Sequence, residues 1–481
     1  MRQTRTIDDV QRPEWLTGLD ASFLNLETAT QPLQVFSVME LDTSTMPGGY
    51  SFHRFRDELA ERIRAVPEFR EKLSNRFLSP DHPAWVEDGD FDVDHHVRRI
   101  GVPAPGGPAE LAEICGHLAA TPLDRSRPLW EMWVIEGVGG APGHAGAVPD
   151  AADNRLLAVM TKMHHAAADG VSYMEFFSEL CSTQPDPSPP AFAEASGDGR
   201  PLRIAIGGLT RFVSRPVLLV AKVLPATYRA ISDAFQRSGR ARAMAAPFSA
   251  PPTVFNTRFT ANRNVAFARF DLNDVKKVKN HFRVTVNDVV TALVSGSVRQ
   301  FLLDRDELPS ASLIALVPAS VHEPDRAGRN QVSGMLARLQ TQIADPAKRL
   351  QAVAESNSIA KEHSAAISAT LLEDWMQMGG RAILGIAKRV YGRVTRSRPM
   401  YNVVVSNVPG LQPEDYFLGA KITAFYPFGP VMLGAGINFT VCSVGGQLHV
   451  GVISCPDILP DISSLAVGLS AGLDQLLSEI D

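Results

Sequence analysis

Cysteine is the first thing this chain is short of. Four of its 481 residues are cysteine, Cys115, Cys181, Cys442 and Cys455, and no two of them form a CxxC pair. That scatter excludes a disulfide framework and a zinc knuckle, and it suits a reducing cytoplasm. Positive charge is not in excess either. Lys and Arg number 47 against 52 Asp and Glu, a net charge of -5, which gives no footing for nucleic acid as a partner. The N-terminus, MRQTRTIDD, lacks the apolar core of a secretory signal. Long apolar runs are missing as well. The most apolar stretch, Ile204 to Ala226, is broken by Arg211, Arg215, Pro216 and Lys222 and falls short of the ~20 residues that span a bilayer. Such a chain is not expected to cross a membrane, although nothing prevents it from lying on one. What remains is ordinary globular material, 45% hydrophobic and 21% charged, with a length that suits two or three domains.

Against these absences stands one dense piece of chemistry, His164-His165-Ala166-Ala167-Ala168-Asp169-Gly170. The mostly apolar stretch Arg155 to Met163 predicts a strand running into it. Side chains alternate across a strand, so His165 is expected on a face with Leu157, Val159, Thr161 and Met163, and His164 on the other with Leu156, Ala158, Met160 and Lys162. Val171, Met174, Phe177 and Leu180 then recur at helical spacing, which makes the motif a strand-to-helix turn with Gly170 permitting a tight backbone. A lone histidine in an apolar setting is most often a packed, hydrogen-bonded residue. An adjacent acid and glycine move the balance towards acid–base chemistry. Zinc is the rival, since histidine and carboxylates ligate it, but neighbouring strand positions diverge, no third ligand is clustered and no HExxH pattern occurs. No metal is expected.

Two halves and a connector are predicted around this turn. The first half, 1–181, holds strands at Gln34 to Leu41 and Met132 to Glu136. Its helix, Phe52 to Val66, carries Phe52, Phe55, Leu59, Ile63 and Val66 at three- and four-residue steps. The block Pro122 to Glu131 is read as structural around Trp130, and Gly137 to Asn154 as an exposed loop. The connector, 182–253, begins with a Pro, Ser and Ala linker to Pro201 and continues as a basic helical stretch, Leu202 to Met244. The second half, 254–481, has strands at Asn264 to Phe270, Leu313 to Ala319, Met335 to Ile343 and after Asn402, and a hairpin of Ile437 to Val444 with Gln447 to Ser454. Helices begin near Leu272 and after Thr285, whose pairing with Asp288 reads as a capping box, and a last one spans Asp461 to Ile480. The basic run Arg381 to Arg398 is read as a solvated helix. The fold class is α/β with mixed sheets.

Four segments in this order, PLDRSRPLWE, HHAAADG, VNDVV and NVVVSNVPG, resemble the bacterial wax ester synthase/diacylglycerol acyltransferase family over nearly the whole chain. The HHxxxDG element alone is shared more widely, with chloramphenicol acetyltransferases, carnitine acyltransferases and the condensation domains of peptide synthetases. The resemblance implies two chloramphenicol-acetyltransferase-like domains whose interface forms a tunnel. Acyl-CoA is the implied cosubstrate and diacylglycerol or a long-chain alcohol the acceptor, with no tightly bound cofactor. The implied location is cytoplasmic, peripheral on the inner membrane or on lipid inclusions.

His165 is then the general base, because neutral imidazole is suited to take a hydroxyl proton near neutral pH, and no acyl-enzyme is required. Asp169 organises the turn, His164 is structural and Gly170 leaves room for substrate. Ser406 and Asn407 are candidates for stabilising the oxyanion. A condensation-type enzyme and a non-catalytic lipid-binding module are the alternatives.

Overall fold

The computed structural model describes residues 14–75, 81–139, 155–186, 200–218, 248–320, 329–330, 332–364, 391–395, 397–411 and 416–480, with single positions 221, 225, 245 and 389. In the first half, β1 (Glu14–Trp15) precedes α1 (Gly18–Leu26), which opens on a capping box. The Thr17 hydroxyl accepts from the Asp20 N–H, and the Asp20 carboxylate accepts from the Thr17 N–H. Then follow β2 (Gln34–Asp42), α2 (Phe52–Ile63), β3 (Glu71–Leu73), β4 (Ala84–Glu87), β5 (Val97–Gly101), α3 (Pro108–Ala120), β6 (Trp130–Glu136), β7 (Leu156–His164), α4 (Gly170–Ser178) and β8 (Cys181–Ser182). The apolar stripe of α2 is buried at Phe55, Leu59 and Ile63, but the helix stops short of the expected Val66. Pro67 forces the residue before it into extended geometry, and Val66 has φ -120° and ψ 90°.

Of the connector, α5 (Pro201–Leu218) is described; the remaining stretch to Met244, most of the 137–154 loop and most of the 182–201 linker lie outside the described residues. The second half comprises β9 (Asn264–Asp271), α6 (Leu272–Phe282), α7 (Val286–Leu303), β10 (Ile314–Ser320), β11 (Val332–Arg338), α8 (Pro346–Ser364), β12 (Val403–Asn407), β13 (Tyr416–Phe417), β14 (Ala420–Phe428), β15 (Ile437–Val444), β16 (Gln447–Ser454) and α9 (Ser463–Ser478). Thr285 and Asp288 form the expected capping box on α7, where Asp288 also accepts from the Asn357 side chain. The β15–β16 hairpin turns at Gly445 and Gly446, both at positive φ, as a tight two-residue turn requires. The strand expected at Met335 to Ile343 starts earlier, at Val332, and ends at Arg338, just before Gln340 enters the left-handed region at φ 57°. Most of the basic run at 381–398 lies outside the described residues.

Among the described residues three sheets result. A six-stranded mixed sheet, β11-β10-β12-β15-β16-β9, belongs to the second half, and α6, α7, α8 and α9 bury its main core. A seven-stranded sheet, β5-β6-β7-β2-β14-β13-β8, is built from both halves. Strand β14 runs antiparallel to β2 from Lys421 opposite Asp42 to Phe428 opposite Phe36, while β13 pairs with β8. No strand was expected at 416–428, where Pro427 lies inside the run. Yet β14 also packs against β16, tying the two sheets together. The third sheet is small, β1-β4-β3.

The contact between the large sheets is close at Gly451. A Cβ there would lie 2.1 Å from the Pro427 carbonyl oxygen and 2.8 Å from the Phe428 ring. Gly451→Ala is therefore expected to cost about 1–3 kcal/mol of stability by overpacking, read as a lower denaturant midpoint with an unchanged slope.

Candidate active site

Strand β7 delivers the two histidines to different surroundings. Leu157, Val159 and Met163 belong to the core beneath α1, α2 and α4, whereas Ala158 and Met160 belong to the cluster on the other face, with α3 and β14. The alternation continues into the motif, since the N–H groups of His164 and His165 donate to the carbonyls of Leu129 and Leu33, each at 2.9 Å. His164 is buried. Its Nδ1 accepts the Ala166 N–H at 3.0 Å, which leaves the proton on Nε2, 3.4 Å from Glu27 Oε1. Glu27 also binds the Arg125 guanidinium and accepts the Leu33 N–H. Burial opposes the ionisation of Glu27, but His164, Arg125 and the Leu33 N–H together outweigh it and hold the carboxyl down at about 2.

His165 lies on the opposite face, partly exposed to a cavity and stacked on Phe23 with ring centroids 4.1 Å apart. Its Nδ1 is 3.0 Å from the side-chain oxygen of Asn330. The amide of Asn330 can face only one way. Its nitrogen donates to the Asp20 carboxylate and to the His165 carbonyl, both at 2.7 Å, so its oxygen must accept from His165. The proton of neutral His165 therefore resides on Nδ1, and the Nε2 lone pair is left for chemistry. Burial pulls the pKa of His165 below the ordinary 6.5, opposed by a bond to its own carbonyl, the charge of Asp169 and the Asn330 bond. Burial likewise raises Asp20 to about 6, against the hydrogen bonds from Asn330 and Thr17.

Asp169 is the N-cap of α4. Its Oδ1 accepts from the N–H groups of Val171 and Ser172 at 3.0 and 2.9 Å, so the carboxylate fixes the strand-to-helix turn. Gly170 is needed for close packing, because a Cβ there would meet Val408 Cγ1 at 2.6 Å.

The cavity, about 300 Å³, lies between the halves. Leu19, Phe23 and Met174 line it from one side and Leu316, Val404 and Met432 from the other, with His165, Asp169 and Gly170 also on its wall. Ser406 and Asn407, at the end of β12, line it too. Strand register explains the polar face. Val404 and Ser406 stand opposite Asn438 and Thr440 of β15, and all four reach the cavity, while Val403, Val405, Phe439 and Val441 turn into the helix-covered core. The sequence GLSAG at 468–472 matches a nucleophile-elbow pattern, but Ser470 is an exposed residue inside α9, far from the strand-to-helix turn such a nucleophile needs. Among the described residues, no group of three or more His, Cys, Asp or Glu converges to hold a metal.

Asn330 and Asp20 were not among the expected site residues. Asn330 lies in an aperiodic polar stretch with no motif around it, 165 residues from its partner. Asp20 carried a usable signal, the same Thr-x-x-Asp spacing that marked Thr285 and Asp288.

Comparison with known proteins supplies a family context. Residues 16–290 match the wax ester synthase/diacylglycerol acyltransferase catalytic domain, and residues 329–477 the corresponding C-terminal domain. A Mycobacterium tuberculosis protein named as a diacylglycerol O-acyltransferase is 50% identical over 466 residues, covering 96% of this chain and 90% of its own. The O-acyltransferase WSD of Acinetobacter baylyi is 31% identical, over 94% of this chain and 95% of its own. The solved wax ester synthase/diacylglycerol acyltransferase of Marinobacter aquaeolei VT8 superposes with a TM-score of 0.68 at 26% identity, covering 97% of this chain and 99% of that one.

The depressed pKa of Glu27 has a stability consequence. A carboxylate held below its unfolded value stabilises the fold above pH ~4.5 and loses that contribution as pH falls towards about 2. Denaturation midpoints compared at pH 6 and pH 3 should fall more steeply for the natural protein than for Glu27→Gln.

Proposed function

The chain belongs to the wax ester synthase/diacylglycerol acyltransferase family, and from that premise we propose that it transfers a long-chain acyl group from acyl-CoA to the hydroxyl of diacylglycerol or of a long-chain alcohol, with His165 as general base. The observation that carries this reading is the free Nε2 of His165, opening on an apolar cavity between the two halves while Nδ1 is engaged by Asn330. An alcohol is a weak nucleophile until its proton is leaving. Nε2 takes that proton as the hydroxyl oxygen attacks the thioester carbon, forming the C–O bond. The tetrahedral intermediate collapses with cleavage of the C–S bond, and the imidazolium returns the proton to the CoA thiolate. The oxyanion needs a donor, and the Ser406 hydroxyl and the Asn407 amide, both on the cavity wall, are the groups we assign to it. Asp169 acts through the turn it caps, and His164 through Glu27, rather than on substrate.

The same reading extends to a lipid surface. Leu202, Ile206, Leu209 and Val213 form one stripe of α5 and are 55–71% exposed, with Phe212 beside them. The other face docks onto the first half: Ile204 is buried, and Arg211 pairs with Asp81 and covers the Trp15 ring. The segment 200–232 contains Lys and Arg but neither Asp nor Glu, which suits anionic headgroups. No helix among the described residues is long and apolar enough to cross a membrane. We therefore assign α5 to peripheral contact with a membrane or lipid inclusion.

Two measurements test these assignments. His165→Ala should lower kcat by about 10²–10⁴-fold with palmitoyl-CoA and either acceptor. In the natural enzyme kcat/KM should fall on the acid side of neutrality, as Asp20 takes up a proton at about 6 and as His165, which burial holds below the ordinary imidazole value, becomes protonated. Equal activity of the variant would remove His165 from the role of base. For α5, the triple change Leu202→Ser, Ile206→Ser and Leu209→Ser removes apolar contacts of about 1 kcal/mol each, so flotation with anionic vesicles should show binding weakened by about 100-fold. Turnover of short, soluble substrates should stay unchanged.

A further inference from the structure

Arg329 and Asn330 come from the second half of the chain, yet each makes its side-chain contacts with the first. Arg329 is buried against the small sheet and touches every strand of it. Its guanidinium donates to Glu14 of β1 at 3.0 Å, binds the buried carboxylate of Glu71 on β3, and lies 4.3 Å above the Trp85 ring of β4. Its carbonyl accepts from the Ser172 hydroxyl at 3.0 Å, in the first turn of α4, and from the Asp169 N–H at 3.4 Å, in the motif turn. The next residue is Asn330, which holds His165.

We propose that Arg329 is a positioning residue: seated across the three-stranded sheet, it sets the place at which Asn330 meets the Nδ1 edge of His165, so that the second half of the chain completes the base carried by the first. The proposal rests on the reading of His165 as base and adds to it the part that holds it ready. Consecutive Cα atoms are fixed about 3.8 Å apart, so a shift of Arg329 is a shift of Asn330. The tethering is tight at both ends. The Asn330 amide spends its hydrogen bonds on Asp20 and His165, and Arg329 is held by two carboxylates, an aromatic face and the Ser172 hydroxyl.

Stability alone is a weak reason for such a seat, because a buried ion pair gains little over an apolar replacement of the same shape. What it does supply is fixed geometry. A guanidinium presents its donors in a rigid plane, which can address two carboxylates and stack on a ring at once. The three-stranded sheet, otherwise remote from the cavity wall, thereby acquires a role in the chemistry. Its strands provide one contact each to the residue that precedes the orienting amide.

The test replaces the buried pair together, Arg329→Met with Glu71→Gln, so that the Glu71 carboxylate is not left without its partner. Ser172→Ala, which removes the other tether without touching a charge, is the milder companion. Readouts are kcat, KM for acyl-CoA and for the acceptor, circular dichroism, and long-range ¹H–¹⁵N spectra of protein labelled with ¹⁵N-histidine. In the paired variant kcat should fall about 10- to 100-fold, as expected when a reacting group is misplaced by about 1 Å, while KM values change less than about 3-fold. His165 should pass from a single Nδ1–H tautomer to a mixture. Ser172→Ala should lower kcat about 3-fold, and its effect should be smaller in the paired background because both act through one tether.

Wild-type kcat and a single tautomer in both folded variants would overturn the proposal. So would a loss of kcat with the tautomer unchanged, which is what a purely structural role gives. Should the paired variant not fold, Ser172→Ala decides alone, unchanged kcat and tautomer being the contrary result. The tautomer spectrum does not depend on turnover, so failure of His165→Ala to impair activity would dismiss the base while leaving the positioning legible.

Discussion

Everything at the cavity depends on one hydrogen bond, from His165 Nδ1 to the Asn330 side chain. A neutral imidazole can carry its proton on either nitrogen, and only the partner of one nitrogen decides whether the other offers a lone pair. Asn330 is a reliable acceptor because Asp20 occupies its amide nitrogen. The chain of dependence thus runs from a helix cap in the first half, through a side chain of the second, back to a strand end in the first. The two halves must therefore be held in fixed relation. Strand β14 does this structurally, pairing with β2 along one edge and packing on β16 at the point where Gly451 has no side chain.

Two adjacent histidines in such a site look redundant and are not. Because a strand alternates its faces, neighbouring positions can receive opposite environments at no cost in backbone geometry. His164 is turned into a buried cluster with Glu27 and Arg125, where its Nδ1 accepts the Ala166 N–H and its Nε2 lies 3.4 Å from Glu27. His165 is turned to the cavity, with one nitrogen committed and one open. Glu27 links the first of these to the turn after α1, and α1 carries Asp20 and Phe23, the groups that orient and cover the second. The pair is one anchored residue and one open to the cavity, both set against the same short helix.

Local signals in the chain revealed what local forces decide. The strand into the motif, the helix after it, the alternation of the histidines, the capping box of α7 and the glycine hairpin all follow from spacing within a dozen residues. Strand β14 was not legible, because its long pairing, with β2, joins residues more than 370 positions apart and its own Pro427 argues against it. Asn330 was hidden for the same reason. Nothing in its neighbours distinguishes it, and its importance comes from a contact made only when the halves meet. The place of Asp169 at the head of α4 was readable, because an acid before a glycine and a helical run is also the signature of an N-cap. For Gly170 the expected reason was space for substrate, whereas the structure adds a nearer claimant, the Val408 side chain.

The character of the cavity joins the two demands that lipid acyl transfer would make. Its walls are mainly apolar, from Leu19 and Phe23 to Leu316 and Met432, and its polar groups gather as His165, Asp169 and Tyr173 on one side and Ser406, Asn407, Asn438 and Thr440 on the other. Apolar walls favour a hydrocarbon chain by releasing water. The same loss of water penalises a charged imidazole, which is why the pKa of His165 lies below 6.5 despite the negative charge of Asp169. A base must be unprotonated to act, so on the proposed reading the surroundings that would receive the lipid would also keep His165 ready to act on it. Removing apolar surface to widen the cavity would weaken both together. Polar substitutions at Leu19 or Phe23 would raise the proton affinity of His165 as well as lower the affinity for a hydrocarbon chain, and the two effects share one physical origin in the exclusion of water.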